Sequence, residues 1–246
     1  MEYRHHVPGR RRTRWISVLL FSLPVIFSCS HSLSMRRAAG LTIYFVRHAE
    51  TAANATGEKT PENMNTFSEK GLAEIAQLTQ ALQPLPIDAV LVSPTYRTEH
   101  TVLPYLREKG IQAEIWPELE EWHMEADPMS MRVIGEAQVI RIDPEDAPYF
   151  RLREAQANKR IVARNYEGGM EQIQKAARLI NERFGRSGKT ILIVGHVNSG
   201  SRLLEVLMHL EPIVRFKLEQ TKLTELVQNS GGHYTMRLLN GKPYSE

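Results

Sequence analysis

The chain has 246 residues, 42% hydrophobic and 24% charged, the proportions of an ordinary globular protein, which excludes disorder on a large scale. Its formal charge of +3 comes from Arg4, Arg10, Arg11, Arg12 and Arg14, opposed within the first 28 residues by Glu2 alone; the remainder carries 26 basic and 27 acidic side chains. A body so close to neutral gives no bulk-charge case for nucleic-acid binding, and none is expected.

Residues 1–28 read as a signal peptide, with the basic start "RRRTR" followed by the apolar "WISVLLFSLPVIFS" from Trp15 to Ser28. Fourteen residues broken by Pro24 are short for a membrane span, which needs about 20. Cys29 is the only cysteine, so the chain has neither a disulfide framework nor thiolate metal sites. "IFSC" resembles the lipobox of bacterial lipoproteins, with Phe27 bulkier than usual, and implies lipidation of Cys29 and an exported, envelope-bound protein. A chance cysteine, or a cytoplasmic protein translated from Met35, is the alternative. Residues 29–40 read as a tether before a domain spanning 41–246.

Leu41 to Val46 is a continuous apolar run suited to a strand covered on both faces. Ser68 caps a helix carrying Leu72, Ile75, Leu78 and Leu82 at helical spacing, and "AVLV" at 89–92 forms a second strand. Ser93-Pro94 is read as the cap and first position of a helix ending at Gly110, with Pro104 a kink, and Ile111 to Trp116 as a weaker third strand. Periodicity fades from Trp122 to about Gly169, a specificity insertion off the core. A helix over "MEQIQKAARLINERFG" follows, then the strand "TILIVG" at 190–195, a helix from about Asn198 to Leu210, and a hairpin of "KLTELVQ" and "HYTMRLL" around "NSGG". Strands alternating with helices predict one three-layer α/β domain with a largely parallel sheet.

Ligands of such sheets lie beyond the carboxyl ends of the strands. Three of those ends carry Arg47-His48, Ser93 with Arg97 one turn on, and Gly195-His196. A single loop histidine or helix arginine is ordinarily a solvated side chain. Four together make a dianion site, because arginine forks match phosphate oxygens and helix N-termini add positive potential. Two apparent motifs carry less. "GRSGKT" has Arg183 where a Walker A loop needs glycine and precedes a strand; His123, Glu125 and Asp127 share no helix face and lack a fourth ligand, so no metal is expected.

"FVRHAETAAN" resembles the Arg-His-Gly motif of the histidine phosphatase superfamily, the phosphoglycerate-mutase-like proteins, with Ala49 in the glycine position. "FSEKGLAEIAQLTQAL" is similar to the family's first long helix, "LVSPTYRTEHT" to its Ser-Pro-x-x-Arg-x-x-x-Thr segment, "PELEEW" to its Leu-x-Glu segment and "ILIVGHVNSG" to its second histidine motif. The resemblance runs from Leu41 to about Leu210. It implies a phosphoglycerate-mutase-like fold and a phosphatase acting without cofactor or metal. His48 would be the nucleophile, Arg47 and Arg97 the phosphate clamp, and His196 a second histidine serving both catalysis and phosphate binding. Asn54 and the backbone at Val197 would complete the pocket. Glu121 matches the proton donor, with Glu118 and Glu125 as alternatives. A neutral imidazole is a competent nucleophile toward phosphorus, and an alkoxide leaves well only if protonated. The substrate would be a small-molecule or protein phosphomonoester. "WHMEADP" replaces the glycine-rich segment of sugar-phosphate mutases, which argues against mutase activity, as does an envelope location. A non-catalytic phosphate-binding lipoprotein is the remaining alternative. Seven basic residues of the insertion, Arg132, Arg141, Arg151, Arg153, Lys159, Arg160 and Arg164, either recognise a second anion or are solvated charges.

Overall fold

In a computed structural model of the chain, the described residues are 1, 40–121, 138–161, 163 and 165–245. The chain divides into two compact units, Met1–Ser34 and Met35–Glu246, and the second carries everything that follows. The segment read as a signal peptide, Cys29 and the residues His123, Glu125 and Asp127 lie outside the described residues, as do Arg132 and Arg164.

In chain order the elements are β1 (Thr42–Arg47), α1 (Ala52–Thr56), α2 (Pro61–Asn65), α3 (Glu69–Leu82), β2 (Ala89–Val92), α4 (Tyr96–Lys109) and β3 (Ala113–Ile115). A 3-10 turn at Pro117–Leu119 precedes β4 (Phe150–Leu152), α5 (Tyr166–Phe184), β5 (Thr190–Gly195), α6 (Asn198–Leu207), β6 (Thr224–Gln228), β7 (Tyr234–Leu239) and β8 (Lys242–Pro243). The strands form one eight-stranded sheet in the order β4-β3-β2-β5-β1-β6-β7-β8. Neighbouring strands from β4 to β1 are parallel, while β6, β7 and β8 add antiparallel pairs at the other end. The result is a mixed, mostly parallel sheet with helices on both faces, the α/β class read from the alternation of strands and helices.

Successive strand residues point to opposite faces, and both faces are apolar. Ile43, Phe45, Leu91, Ile191 and Ile193 pack with Ile173, Ala177 and Ile180 of α5 and Leu203, Leu204 and Leu207 of α6. Val46, Val90, Val92, Leu192 and Val194 pack on the other side with Leu78 and Leu82 of α3 and Val102, Leu103 and Leu106 of α4. Helices following β1 and β2 therefore cover one face, and α6 following β5 covers the other. Loops that diverge from neighbouring strands open a crevice at the carboxyl end of the sheet.

Two close approaches hold this end together. A Cβ on Gly71, in the first turn of α3, would fall 2.0 Å from the carbonyl oxygen of Glu50, so only glycine lets α3 press against the loop after β1. A Cβ on Gly200 would fall 2.2 Å from the Phe45 ring, so α6 lies directly on β1.

Several boundaries differ from the sequence reading. Thr95, not Ser93, is the cap residue of α4, because the Ser93 backbone N–H extends the strand ladder to the Val194 carbonyl at 3.1 Å and its hydroxyl turns toward His196. Helix α4 runs through Pro104 to the left-handed Gly110. Phe150–Leu152, within the segment read as lying off the core, pairs in parallel with β3 as an edge strand. Helix α5 starts earlier than read, at Tyr166, because the Asn165 side chain accepts from the Gly168 N–H. Helix α6 ends at Leu207, ahead of the left-handed His209.

Candidate active site

The strand ladder delivers the chemistry. Arg47 is in register with Gly195, and the His48 N–H donates to the Gly195 carbonyl at 3.0 Å. Arg47-His48, Ser93 and His196 thus leave adjacent parallel strands at one level. The His48 and His196 ring centroids are 5.4 Å apart at an interplanar angle of 65°.

His48 is 6% exposed. Its Nδ1 lies 2.8 Å from the Ala49 carbonyl oxygen. A carbonyl can only accept, so Nδ1 carries the proton and Nε2 keeps its lone pair. Burial, and then the positive charge of Arg97, hold the imidazole well below the ordinary histidine range; the Ala49 contact opposes this, and Arg47 adds to it. The ring is a neutral base at physiological pH.

The two arginines differ in their tethers. Arg47 donates from Nη1 to the Leu218 carbonyl at 3.2 Å, while its buried Nε has no hydrogen-bond partner among the described residues. Arg97 lies buried in the first turn of α4, with Nη2 3.4 Å from Nδ1 of His196. Because a guanidinium only donates, neutral His196 accepts there and donates from Nε2 to the Ser93 hydroxyl at 2.8 Å. Burial pushes Arg97 down to about 10, against the opposing pull of Glu121 and Glu120. Both guanidiniums stay charged, and the cost of keeping them so in a buried place is offset by any dianion that enters.

Glu121 accepts from the backbone N–H groups of Asn198 at 3.3 Å and Ser199 at 2.9 Å, at the N-terminus of α6. Its charge acts on both Arg47 and Arg97, so it belongs to the same cluster. The neighbouring acids are differently placed. Glu118 is held by Arg153 at 3.2 Å and Lys175 at 2.9 Å. Glu120 is clamped by both arms of Arg160, although burial still raises its carboxyl above the usual range. Glu125 is outside the described residues. Of the alternatives considered for the proton donor, the structure brings Glu121 to the two arginines of the cluster and turns Glu118 to other partners.

Val197 is the residue before α6, in helical conformation, and the next two N–H groups are those that Glu121 holds. Asn54 is exposed, and its side-chain oxygen accepts from the Thr51 N–H at 3.2 Å and hydroxyl at 3.1 Å. In this state it caps α1, an interaction that the sequence reading did not foresee.

Two supporting residues were also missed. Thr101 donates to the Arg97 carbonyl at 2.6 Å and accepts from the Ala49 N–H at 2.9 Å, which fixes the His48 loop against α4. Its position four residues after Arg97 was a usable signal. Gln172 of α5 donates to the carbonyls of Glu118 at 3.2 Å and Glu120 at 2.8 Å, anchoring the loop that carries Glu121. Nothing local in the sequence links residues so far apart. The "GRSGKT" segment leads into β5, at the end of the sheet away from the histidines. Among the described residues no group of three or more histidine, cysteine, aspartate or glutamate side chains is placed to hold a metal.

Residues 43–241 match the family described as the Histidine phosphatase superfamily (branch 1). An adenosylcobalamin/alpha-ribazole phosphatase of Salmonella typhimurium is 32% identical over 83 residues, 34% of this chain and 41% of the relative; the match therefore spans about two fifths of that protein's length. Among solved structures, a putative alpha-ribazole-5'-P phosphatase from Escherichia coli superposes with a TM-score of 0.59 at 19% identity, covering 84% of this chain and 98% of the other. The alpha-ribazole phosphatase of Shigella flexneri gives 0.57 at 21% identity, over 83% and 99% of the two chains. At these identities the superpositions speak for the fold.

Proposed function

The chain belongs to the histidine phosphatase superfamily, and on that premise we propose that it is a phosphomonoester hydrolase working through a phosphohistidine on His48. One observation carries the reading: a buried, neutral His48 whose Nδ1 proton is fixed on Ala49, leaving an Nε2 lone pair beside Arg97 and Arg47.

In the first step Nε2 attacks phosphorus and the bond to the ester oxygen breaks, while Glu121 gives that oxygen a proton. In the second, water attacks phosphorus with Glu121 taking its proton, the P–N bond breaks, and orthophosphate leaves. The covalent intermediate divides one difficult displacement into two easier ones. Phosphoryl transfer demands mainly positioning and charge stabilisation. Arg47 and Arg97 supply it from fixed backbone positions, so the reaction needs no metal. The unpartnered Nε of Arg47 is a donor that a phosphate oxygen would satisfy. His196, oriented by Ser93 and 5.4 Å from the His48 ring, is the second histidine of the pocket, with Asn54 and the Val197 backbone closing it on ligand entry.

The test is phosphate release from an aryl phosphate in a chelated, metal-free buffer, with quench trapping of an acid-labile phosphohistidine. We expect turnover by the wild type, a loss of about a thousandfold or more in His48→Ala, and accumulation of the intermediate in Glu121→Gln. Full activity in His48→Ala sinks the nucleophile assignment. The names of the relatives add an alpha-ribazole phosphate to the substrate panel. The same reading includes export by residues 1–28, a tether at 29–40 and a lipid on Cys29, which mass analysis of the native N-terminus checks.

A further inference from the structure

A cavity of about 580 Å³ opens beside the N-terminal end of α4. Tyr96, Glu99 and His100 give it one wall, and Asp143, Asp146 and Arg160 another. Pro94 also lines it, next to the Ser93 that orients His196. Arg160 joins the cavity to the cradle, since it clamps Glu120 on one side and adds its charge to the surroundings of Arg97 on the other. Arg97 lies about 100° round the helix from Tyr96, and with Arg160 bordering both, the cavity adjoins the cradle at the first turn of α4.

The charges on these walls are unequal in their partners. Asp146 is taken by Arg107 at 3.0 Å and by His100 at 3.1 Å, and Arg160 is taken by Glu120. Glu99 is largely enclosed, and no hydrogen bond or ion pair among the described residues engages its carboxyl. The Asp143 carboxyl is likewise unengaged there, and against these two stands Arg141. Aryl or extended apolar groups find little to pack on in such a space. A hydrogen-bond-donating cation finds a carboxyl that lacks a partner.

The geometry points to this cavity as the seat of the leaving group, selecting phosphomonoesters whose alcohol carries an ammonium, with Glu99 as the group that meets it. The inference rests on the phosphatase reading and names a substrate class for it. Burial, Asp146 and Asp143 together push the Glu99 carboxyl up to about 8, Glu120 works in the same direction, and Arg160 opposes them. A neighbouring ammonium favours the ionised form. Selection should therefore strengthen as pH rises from 7 to 9, a range in which an alkylammonium of pKa about 10 stays charged.

The experiment compares kcat/KM for phosphoethanolamine with that for 2-hydroxyethyl phosphate, its uncharged analogue, and uses an aryl phosphate as the control for turnover. A charge-assisted bond exceeds a neutral one by about 1 kcal/mol, so the wild type should prefer the ammonium ester about fivefold at pH 9. That ratio should shrink toward pH 7, and in Glu99→Gln it should fall to near one at every pH. Hydrolysis of all three esters with no preference in the wild type overturns the ammonium site and leaves the phosphatase reading standing. A preference that survives in Glu99→Gln overturns the role of Glu99. No release from any ester overturns both readings together.

Discussion

Two sets of arginines surround the loop of Glu118, Glu120 and Glu121, and their difference separates chemistry from architecture. Arg151, Arg153 and Arg160, all from the segment read as an insertion, reach back to Glu114, Glu118 and Glu120. Arg153 also lies 5.1 Å over the Trp116 ring. These charges are spent on carboxylates and bind a distant segment to the sheet. Arg47 is partly buried and Arg97 buried in the cradle, yet their near partners are a backbone carbonyl and an imidazole. A buried guanidinium whose near partners are neutral groups is unfavourable until an anion arrives, and that stored disadvantage marks a site. The insertion's basic residues were read as either anion-binding or solvated; Arg153 and Arg160 turn out to be neither.

The contrast can be broken by exchanging effects between the sets. Arg97→Ala should lower kcat/KM for an aryl phosphate about a hundredfold or more while the thermal midpoint moves little, because removing one charge-stabilising donor commonly costs that much. A large drop in stability with activity retained would move Arg97 to the architectural set. Arg160→Ala should act first on stability. It leaves the buried Glu120 carboxyl without its clamp and should cost about 3 kcal/mol in a denaturant titration. Arg151→Ala should cost under about 1 kcal/mol, since its side chain is 59% exposed and Arg183 still holds Glu114.

The smallest effect concerns pH. His48 is held below its unfolded range, so the unfolded chain binds more protons, and this residue's burden on stability grows as pH falls below about 6.5. His48→Asn should flatten that acid-side decline in thermal midpoint. An unchanged slope would mean that the imidazole is charged in the folded protein.

Much of this site was legible because β1, β2 and β5 are largely apolar runs that end in, or are followed at once by, arginine, serine or histidine. A buried strand that ends in polar residues declares both its position and its end. Edge strand β4 was not legible: three residues long, it exists only because β3 offers a parallel partner and Arg151 and Arg153 fasten it. The choice of Thr95 over Ser93 as helix cap was hidden for a related reason. Either hydroxyl suits a cap, and the decision rests on a histidine more than 100 residues away. The different placements of the glutamates follow from long-range partners, Arg153, Lys175 and Arg160, of which the "PELEEW" stretch holds no trace.

The pairing of Arg47 with Gly195 has a further consequence. Neighbouring strands stand about 4.8 Å apart wherever they pair, whatever their side chains. The backbone lattice is therefore a ruler for the gap between the two imidazoles, and the core beneath can exchange one aliphatic group for another without altering it. The same ruler tolerates no slippage. Adding or deleting one residue in β1 would turn His48 to the opposite face of the sheet, so this active site should survive many changes of composition and almost none of length.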